Sequence, residues 1–196
     1  MPPRVSAALP TDPRVAQAEL IEVEGLLAQL ASLGGVDSKR DFFYAKLNEI
    51  TADDRAVLIF TEYTDTMEYV CDGLVAKYGK SLGTYSGDGG QRWDGERWVE
   101  VSKAAITEAL QRGELRALVC TDAASEGLNL QAAGAVVNYD LPWNPSKVEQ
   151  RIGRIDRIGQ ALPVVKVINL FLEDSVDEQV YRVLRVRCGL FEHFVG

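Results

Sequence analysis

The densest run of chemically capable side chains is Gln150-Arg151-Ile152-Gly153-Arg154-Ile155-Asp156-Arg157-Ile158-Gly159-Gln160. Asn144-Pro145 just upstream reads as a helix start, with proline in the first turn. At about 100° per residue, Gln150, Arg154 and Arg157 share one face, while Val148, Ile152 and Ile155 lie close to the opposite one. Two planar guanidiniums about one turn apart can grip the oxygens of a single phosphoryl group in bidentate fashion. On spacing alone the competing reading is a solvated face whose arginines pair with carboxylates such as Asp156 and contribute little. Arg151 lies about 100° off the Gln150 face and is read as structural.

Other constellations are weaker. Thr121-Asp122 follows an apolar run and on its own reads as a helix cap, with Gly127 as a turn. Leu118 to Asp122 has the look of a Walker B strand, but no second carboxylate follows Asp122. Gly73 to Ser81 superficially suggests a phosphate-cradling loop, yet five residues separate Gly73 from Gly79-Lys80-Ser81, where that loop needs about four, and the segment ends a helix instead of following a strand. The glycine-rich stretch from Gly87 to Gly95, too irregular for regular structure, carries Arg92 and Trp93 and is followed by Arg97 and Trp98. That mix of cations and aromatics can stack on bases or lie along phosphates, and equally can pack on a sheet. The packing reading is preferred for Trp98 as the start of the next helix, and Trp93 is left open. Trp143 reads as a loop anchor. His193 is the only histidine, so a Ser/His/Asp triad, a Cys/His dyad and a His-rich metal site all lack parts. The three cysteines, Cys71, Cys120 and Cys188, are odd in number and widely spaced, which points to a reducing cytosol without a disulfide framework or metal site.

The elements that must position these residues follow from periodicity. Residues 1–11, with Pro2, Pro3 and Pro10, read as a disordered lead. Apolar positions from Val15 to Leu30 recur at helical spacing until Gly34-Gly35, and a second helix capped at Asp37 or Ser38 carries Phe42, Phe43, Leu47 and Ile50. Together they form a helical prefix over 12–52. From 53 to 196 short apolar runs, at 56–60, 83–85, 117–120, 135–139 and 164–172, alternate with helices near 65–78, 99–112, 145–158 and 175–188, the pattern of a parallel sheet built from βα units. Right-handed crossovers put helices on both faces and the functional loops at the strands' C-terminal ends.

Four blocks of this chain resemble a known family. Gln150 to Gln160 resembles motif VI of superfamily-two helicases and translocases, and its Arg157-Ile158-Gly159-Gln160 ending is similar to that of Swi/Snf-type motors. Thr121-Asp122-Ala123-Ala124-Ser125-Glu126-Gly127-Leu128-Asn129-Leu130-Gln131 resembles motif V, Asn138 to Pro145 the strand and loop after it, and Ala56 to Tyr63 motif IV. Ser125-Glu126-Gly127 and Asn129-Leu130-Gln131 lean toward the bacterial RapA-like branch. The resemblance implies an α/β, RecA-like C-terminal helicase lobe preceded by a helical extension. It implies that Arg154 and Arg157 are arginine fingers, with Gln150 as their polar partner, acting on ATP whose Mg²⁺ comes through a separate N-terminal RecA-like lobe carrying Walker A and B. Asp122, Glu126 and Gly127 would lie beside the nucleotide or couple it to the track. Thr121, with Thr61 and Trp93, would touch nucleic acid, expected to be double-stranded DNA. The expected setting is the bacterial cytoplasm, at the nucleoid, with no membrane partner, and without the other lobe no ATP hydrolysis. The other open reading is a non-catalytic RecA-like module that docks protein or nucleic acid. A formal net charge of −8 over 196 residues weighs against a generally basic nucleic-acid surface, leaving only local basic groups for phosphate contact.

Overall fold

A computed structural model describes residues 12–32, 34–35, 37–122, 130–155 and 162–188. The chain divides into two compact units, residues 1–38 and 39–196. In the first, α1 (Pro13–Ser32) is started by Asp12, whose Oδ1 accepts from the Arg14 amide at 2.9 Å. It ends before Gly34 and Gly35, both at positive φ. It buries no residue, and Leu20, Val23, Leu27 and Leu30 remain exposed along its apolar stripe.

The second unit is built on a seven-stranded sheet in the order β4-β3-β2-β5-β1-β6-β7. Its strands are β1 (Ala56–Thr61), β2 (Leu82–Ser86), β3 (Gly89–Trp93), β4 (Trp98–Val101), β5 (Ala117–Thr121), β6 (Ala133–Asn138) and β7 (Lys166–Asn169). β2, β5, β1, β6 and β7 run parallel, and β3 and β4 add an antiparallel edge. Every residue of β1, β5 and β6 is buried, as expected of central parallel strands covered on both faces. Val57 and Ile59 point into a core with α2 (Ser38–Ile50) and α3 (Thr64–Tyr78). Leu58 and Phe60 point into another with α4 (Lys103–Gln111) and Ile155. This is the parallel sheet covered on both faces that the alternating pattern predicts, and the RecA-like arrangement that the resemblance implies. α5 (Pro145–Ile152) and α6 (Val176–Cys188) pack on each other through a third, smaller cluster.

Two expectations meet a different arrangement. Grouped with α1 as a prefix by sequence, α2 instead packs Phe43, Leu47 and Ile50 in the same core as β1, so the sheet's compact unit begins at Lys39. The apolar side chains are what place it there, because their burial is available only against the sheet. The stretch expected to be irregular, and the helix expected from 99, instead hold the β3–β4 hairpin. Gly89 at φ 119° follows the two-residue turn Gly87-Asp88, with Ser86 paired to Gly89 in register. Asp94 Oδ1 accepts from the amides of Glu96 and Arg97 to close the second turn. Trp93 and Trp98 face each other in register as an edge-to-face pair, with ring centroids 5.5 Å apart. Only after the hairpin does Ser102 cap α4, its Oγ accepting from the Ala105 amide.

Cys71 and Cys120 are free and buried in the cores on opposite sides of the sheet. Burial pushes the Cys120 thiol up to about 12 and also raises that of Cys71. Neither is a thiolate near neutral pH, so peptide mapping after iodoacetamide treatment at pH 8 should find both unmodified in the folded chain and alkylated in urea. Phe43 is 1% exposed and Phe42 54%. Phe43→Ala should therefore lower the urea-derived stability by about 3–5 kcal/mol and Phe42→Ala by less than about 1. Equal losses would mean α2 is not held on the sheet as described.

Candidate functional site

The C-terminal ends of β5, β1 and β6 lie side by side, and each carries a polar residue into the loop that follows. Thr61 and Thr121 are register partners at the ends of β1 and β5, both buried, and Thr61 Oγ1 donates to the Tyr63 carbonyl at 3.2 Å. Asn138 ends β6, fully buried, and its Nδ2 donates to Asn169 Oδ1 on neighbouring β7 at 2.7 Å. Two residues on, Asp140 accepts from Lys39 Nζ and from the Glu62 amide, each at 3.1 Å, binding the start of α2 and the loop after β1 to the same edge.

Over this edge lies α5. Asn144 caps it through Oδ1, which accepts from the Ser146 amide at 3.0 Å, and Pro145 fills the first turn. Val148 and Ile155 are buried and Ile152 half-buried. In the middle of that stripe sits Arg151, only 2% exposed and first among the largest fully buried side chains. Its Nε donates to Asp122 Oδ1 at 2.7 Å, and Nη1 donates to Asn138 Oδ1 at 2.7 Å and to the Asp140 carbonyl at 3.0 Å. Nη2 is 2.6 Å from the same Asp122 oxygen but is not aligned for a hydrogen bond. The guanidinium stands 5.0 Å from the Phe60 ring centroid. One side chain thus touches the ends of β5, β1 and β6. Burial pushes Arg151 below the usual guanidinium range, and the charge of Asp122 opposes that shift. Asp122 is shared, since its other oxygen accepts from Lys147 Nζ at 3.2 Å.

The residues singled out by sequence fall as follows. Gln150 is exposed on α5. Arg154 does not continue the helix. α5 stops at Ile152, Gly153 is its C-cap, and the Arg154 and Ile155 amides make turn-like bonds to the Arg151 and Ile152 carbonyls at 3.4 and 2.9 Å. The 100° extrapolation from Gln150 to Arg154 therefore does not apply, and Arg154 is half-buried where the spacing expected it to project. Its Nε–H is buried without a hydrogen-bond partner among the described residues. Arg157, Glu126 and Gly127 lie outside the described residues. Trp93 is on the β3–β4 hairpin, half-buried in its pair with Trp98 and against the α2–α3 core. Trp143, expected to anchor its loop, is 70% exposed instead. Gly73 to Ser81 runs from inside α3 into a short 3₁₀ turn, so it forms no strand-to-helix phosphate loop.

Sequence reasoning passed over Lys39, Asn138, Asp140 and Lys147, because their meeting depends on crossovers between distant segments. Arg151 had a signal: Val148, Arg151, Ile152 and Ile155 follow the i, i+3, i+4, i+7 spacing of a buried stripe, so a charged group inside it demands a buried partner.

The helicase conserved C-terminal domain family matches residues 39–159, which begins where the sheet's compact unit begins and takes in Asp122, Gln150, Arg151 and Arg154. The chain belongs to that family. The helicase C-terminal domain is 37% identical over 143 residues, 73% of this chain, to a protein named as the uncharacterized ATP-dependent helicase YqhH of Bacillus subtilis (strain 168). It is 38% identical over 95 residues, 48% of this chain, to the RNA polymerase-associated protein RapA of Pectobacterium carotovorum subsp. carotovorum (strain PC1). The matches span 24% of YqhH and 10% of RapA, so the chain corresponds to a minor part of each. Among solved structures, the C-terminal part of the Fun30 ATPase domain shares the fold, with a TM-score of 0.60 at 19% identity, over 84% of this chain and 53% of that one. The helicase C-terminal resemblance read from the motifs is thus matched by family and relatives, and the expected α/β fold by the solved structure.

Removing Asp122 leaves a buried guanidinium without its carboxylate, whereas removing Arg151 leaves Asp122 partly exposed and still paired with Lys147. Asp122→Ala should therefore cost about 3–5 kcal/mol of stability and Arg151→Met less than about 2. Urea titration of both variants measures the order, and the reverse order would contradict the account of the pair given above.

Proposed function

We propose that this domain is the C-terminal lobe of an ATP-dependent nucleic-acid translocase, supplying arginines to ATP held by an N-terminal RecA-like lobe that carries Walker A and B. The observation that carries the reading is Arg154: a half-buried guanidinium at the sheet's C-terminal edge with a buried Nε–H that finds no acceptor among the described residues. Burying such a donor unpaired is costly, and a shift of the side chain toward a phosphoryl oxygen would satisfy it. Its place inside a helicase C-terminal domain related to proteins named as an ATP-dependent helicase and as RapA supports the same assignment. In this reading Arg154 and Arg157 are the fingers and Gln150 their polar partner. They place positive charge where it develops on the transferring phosphoryl group.

Asp122, Glu126 and Gly127 are assigned to the nucleotide. Since both Asp122 oxygens are already engaged by Arg151 and Lys147, the role that suits it is coupling, with no direct ATP contact. Thr121, with Thr61 and Trp93, is assigned to the nucleic-acid side, with double-stranded DNA as the track. Because Thr61 and Thr121 are buried, that contact would run through the backbone of their loops. Mg²⁺ would arrive with ATP on the other lobe; no group of three His, Cys, Asp or Glu among the described residues could hold it. Among those residues, too, no helix is long and apolar enough to cross a membrane, and the proposed setting is the bacterial cytoplasm at the nucleoid.

The test is nucleic-acid-stimulated ATPase of the polypeptide that joins this domain to its ATP-binding lobe. Arg154→Ala should lower kcat by about 10³-fold or more, as should Arg157→Ala. Wild-type turnover in Arg154→Ala would leave the chain as a RecA-like docking module, and this domain by itself should show no turnover.

A further inference from the structure

A fully buried arginine in the stripe of α5 needs a reason. An apolar side chain of similar length would fill the same space without the cost of stripping water from a guanidinium, and buried ion pairs are commonly replaceable by apolar groups without loss of stability. What an apolar side chain lacks is direction. The planar guanidinium of Arg151 is held from three sides at once, by Asp122 at the end of β5, by Asn138 and the Asp140 carbonyl at and after the end of β6, and by the Phe60 ring at the end of β1. These contacts fix how α5 is rotated about its axis as well as its distance from the sheet. Asn138 is in turn oriented by Asn169 of β7.

The neighbours in sequence make the rotation matter. Gln150 precedes Arg151 directly. Arg154 follows after Ile152 and the Gly153 cap, its amide bonded to the Arg151 carbonyl. Because helical structure stops at Ile152, no regular ladder carries the aim of α5 onward to Arg154. The short turn is held at its start by the Arg154 amide on the Arg151 carbonyl and at its end by buried Ile155, whose amide bonds to the Ile152 carbonyl. At the other end of the ion pair, Asp122 is the second residue of the Thr121 to Gln131 block that resembles motif V. Asp122 also has a second cation available in Lys147, four residues before Arg151 on the same helix. Among the described residues the Arg151–Asp122 pair is therefore a direct side-chain tie between the start of the motif V block and the end of the helix from which the arginine-bearing turn continues.

We infer that Arg151 is a positioning residue: clamped by Asp122, Asn138 and the Asp140 carbonyl, it aims Arg154 and ties that aim to the segment beginning at Asp122. This rests on the proposed role of Arg154. Arg151 does not touch ATP; its effect is on how often Arg154 is correctly placed when ATP is present, which is an effect on turnover more than on binding.

The experiment uses the polypeptide joining this domain to its ATP-binding lobe, with Arg154→Ala, Arg151→Met, Arg151→Lys and Asp122→Asn compared after urea titration has established the folded fraction of each. Arg151→Met should lower kcat at least about tenfold per folded molecule while KM for ATP stays within roughly twofold. Arg151→Lys, which keeps the charge but not the fork, should recover part of the loss. Combining Arg151→Met with Asp122→Asn should cost little beyond the larger single effect, since both break one tie. If Arg151→Met does not fold, the kcat of Arg151→Lys decides alone: a fall at unchanged KM supports the inference and wild-type turnover overturns it. Wild-type kcat in folded Arg151→Met, alongside lost activity in Arg154→Ala, overturns this inference while leaving the functional reading intact. A loss that merely tracks the unfolded fraction also overturns it. Full activity in Arg154→Ala removes the functional reading, and this inference with it.

Discussion

One buried cation organises the C-terminal edge of the sheet. A guanidinium taken out of water costs several kcal/mol unless its donors are met and its charge is opposed. Arg151 meets that requirement only where three strand ends converge: a carboxylate from β5, an amide oxygen from β6 with a carbonyl just beyond it, and an aromatic face from β1. The spacing of α5 from the sheet, the orientation of Asn138 and the fate of both Asp122 oxygens all follow from satisfying that one side chain. Its pairing is asymmetric: Arg151 depends on Asp122 for opposing charge, while Asp122 keeps partial contact with water and with Lys147.

Such precision is possible because the strands beneath are rigid. β1, β5 and β6 are buried along their whole lengths and covered on both faces, so their ends are fixed relative to one another by two cores that share the same backbone. α2 belongs to this scaffold. Its Phe43, Leu47 and Ile50 complete one core, and Lys39 at its start reaches Asp140 on the functional edge. The β3–β4 hairpin extends the sheet away from that edge. Its glycines permit the turn and the close approach, Gly90 in particular, where an added Cβ would lie 2.8 Å from Ile106 and 3.1 Å from the Val101 carbonyl. The tryptophan pair supplies the packing that glycines lack.

A net charge of −8 sits beside this arrangement without contradiction. Cationic side chains of this edge are paired with its carboxylates, Lys39 with Asp140, Lys147 and Arg151 with Asp122. An acidic domain can thus offer an arginine to a phosphate, because the interaction depends on short-range donors in a sheltered place more than on the net field.

The sequence by itself determined the fold class, the strand order's alternation with helices and the blocks that carry chemistry, because apolar periodicity and ordered motifs are local properties of the chain. It placed β1, β5 and β6 within a residue or two and marked α5 by its Asn-Pro start. Tertiary structure alone decided three things. α2 joined the sheet because an amphipathic helix has no preference among partners until a matching core exists. The glycine-rich stretch became a hairpin because its stabilising contacts are cross-strand, with Trp93 and Trp98 separated in sequence by a turn. Arg154 left the helical face of Gln150 because the helix ended at Ile152 with Gly153 as its cap, which periodicity alone does not mark. Arg151 stands between the two. Its position in the apolar stripe was legible, but its partners were not, since Asp122, Asn138 and Asp140 come together only when parallel strands with long crossovers bring their ends side by side.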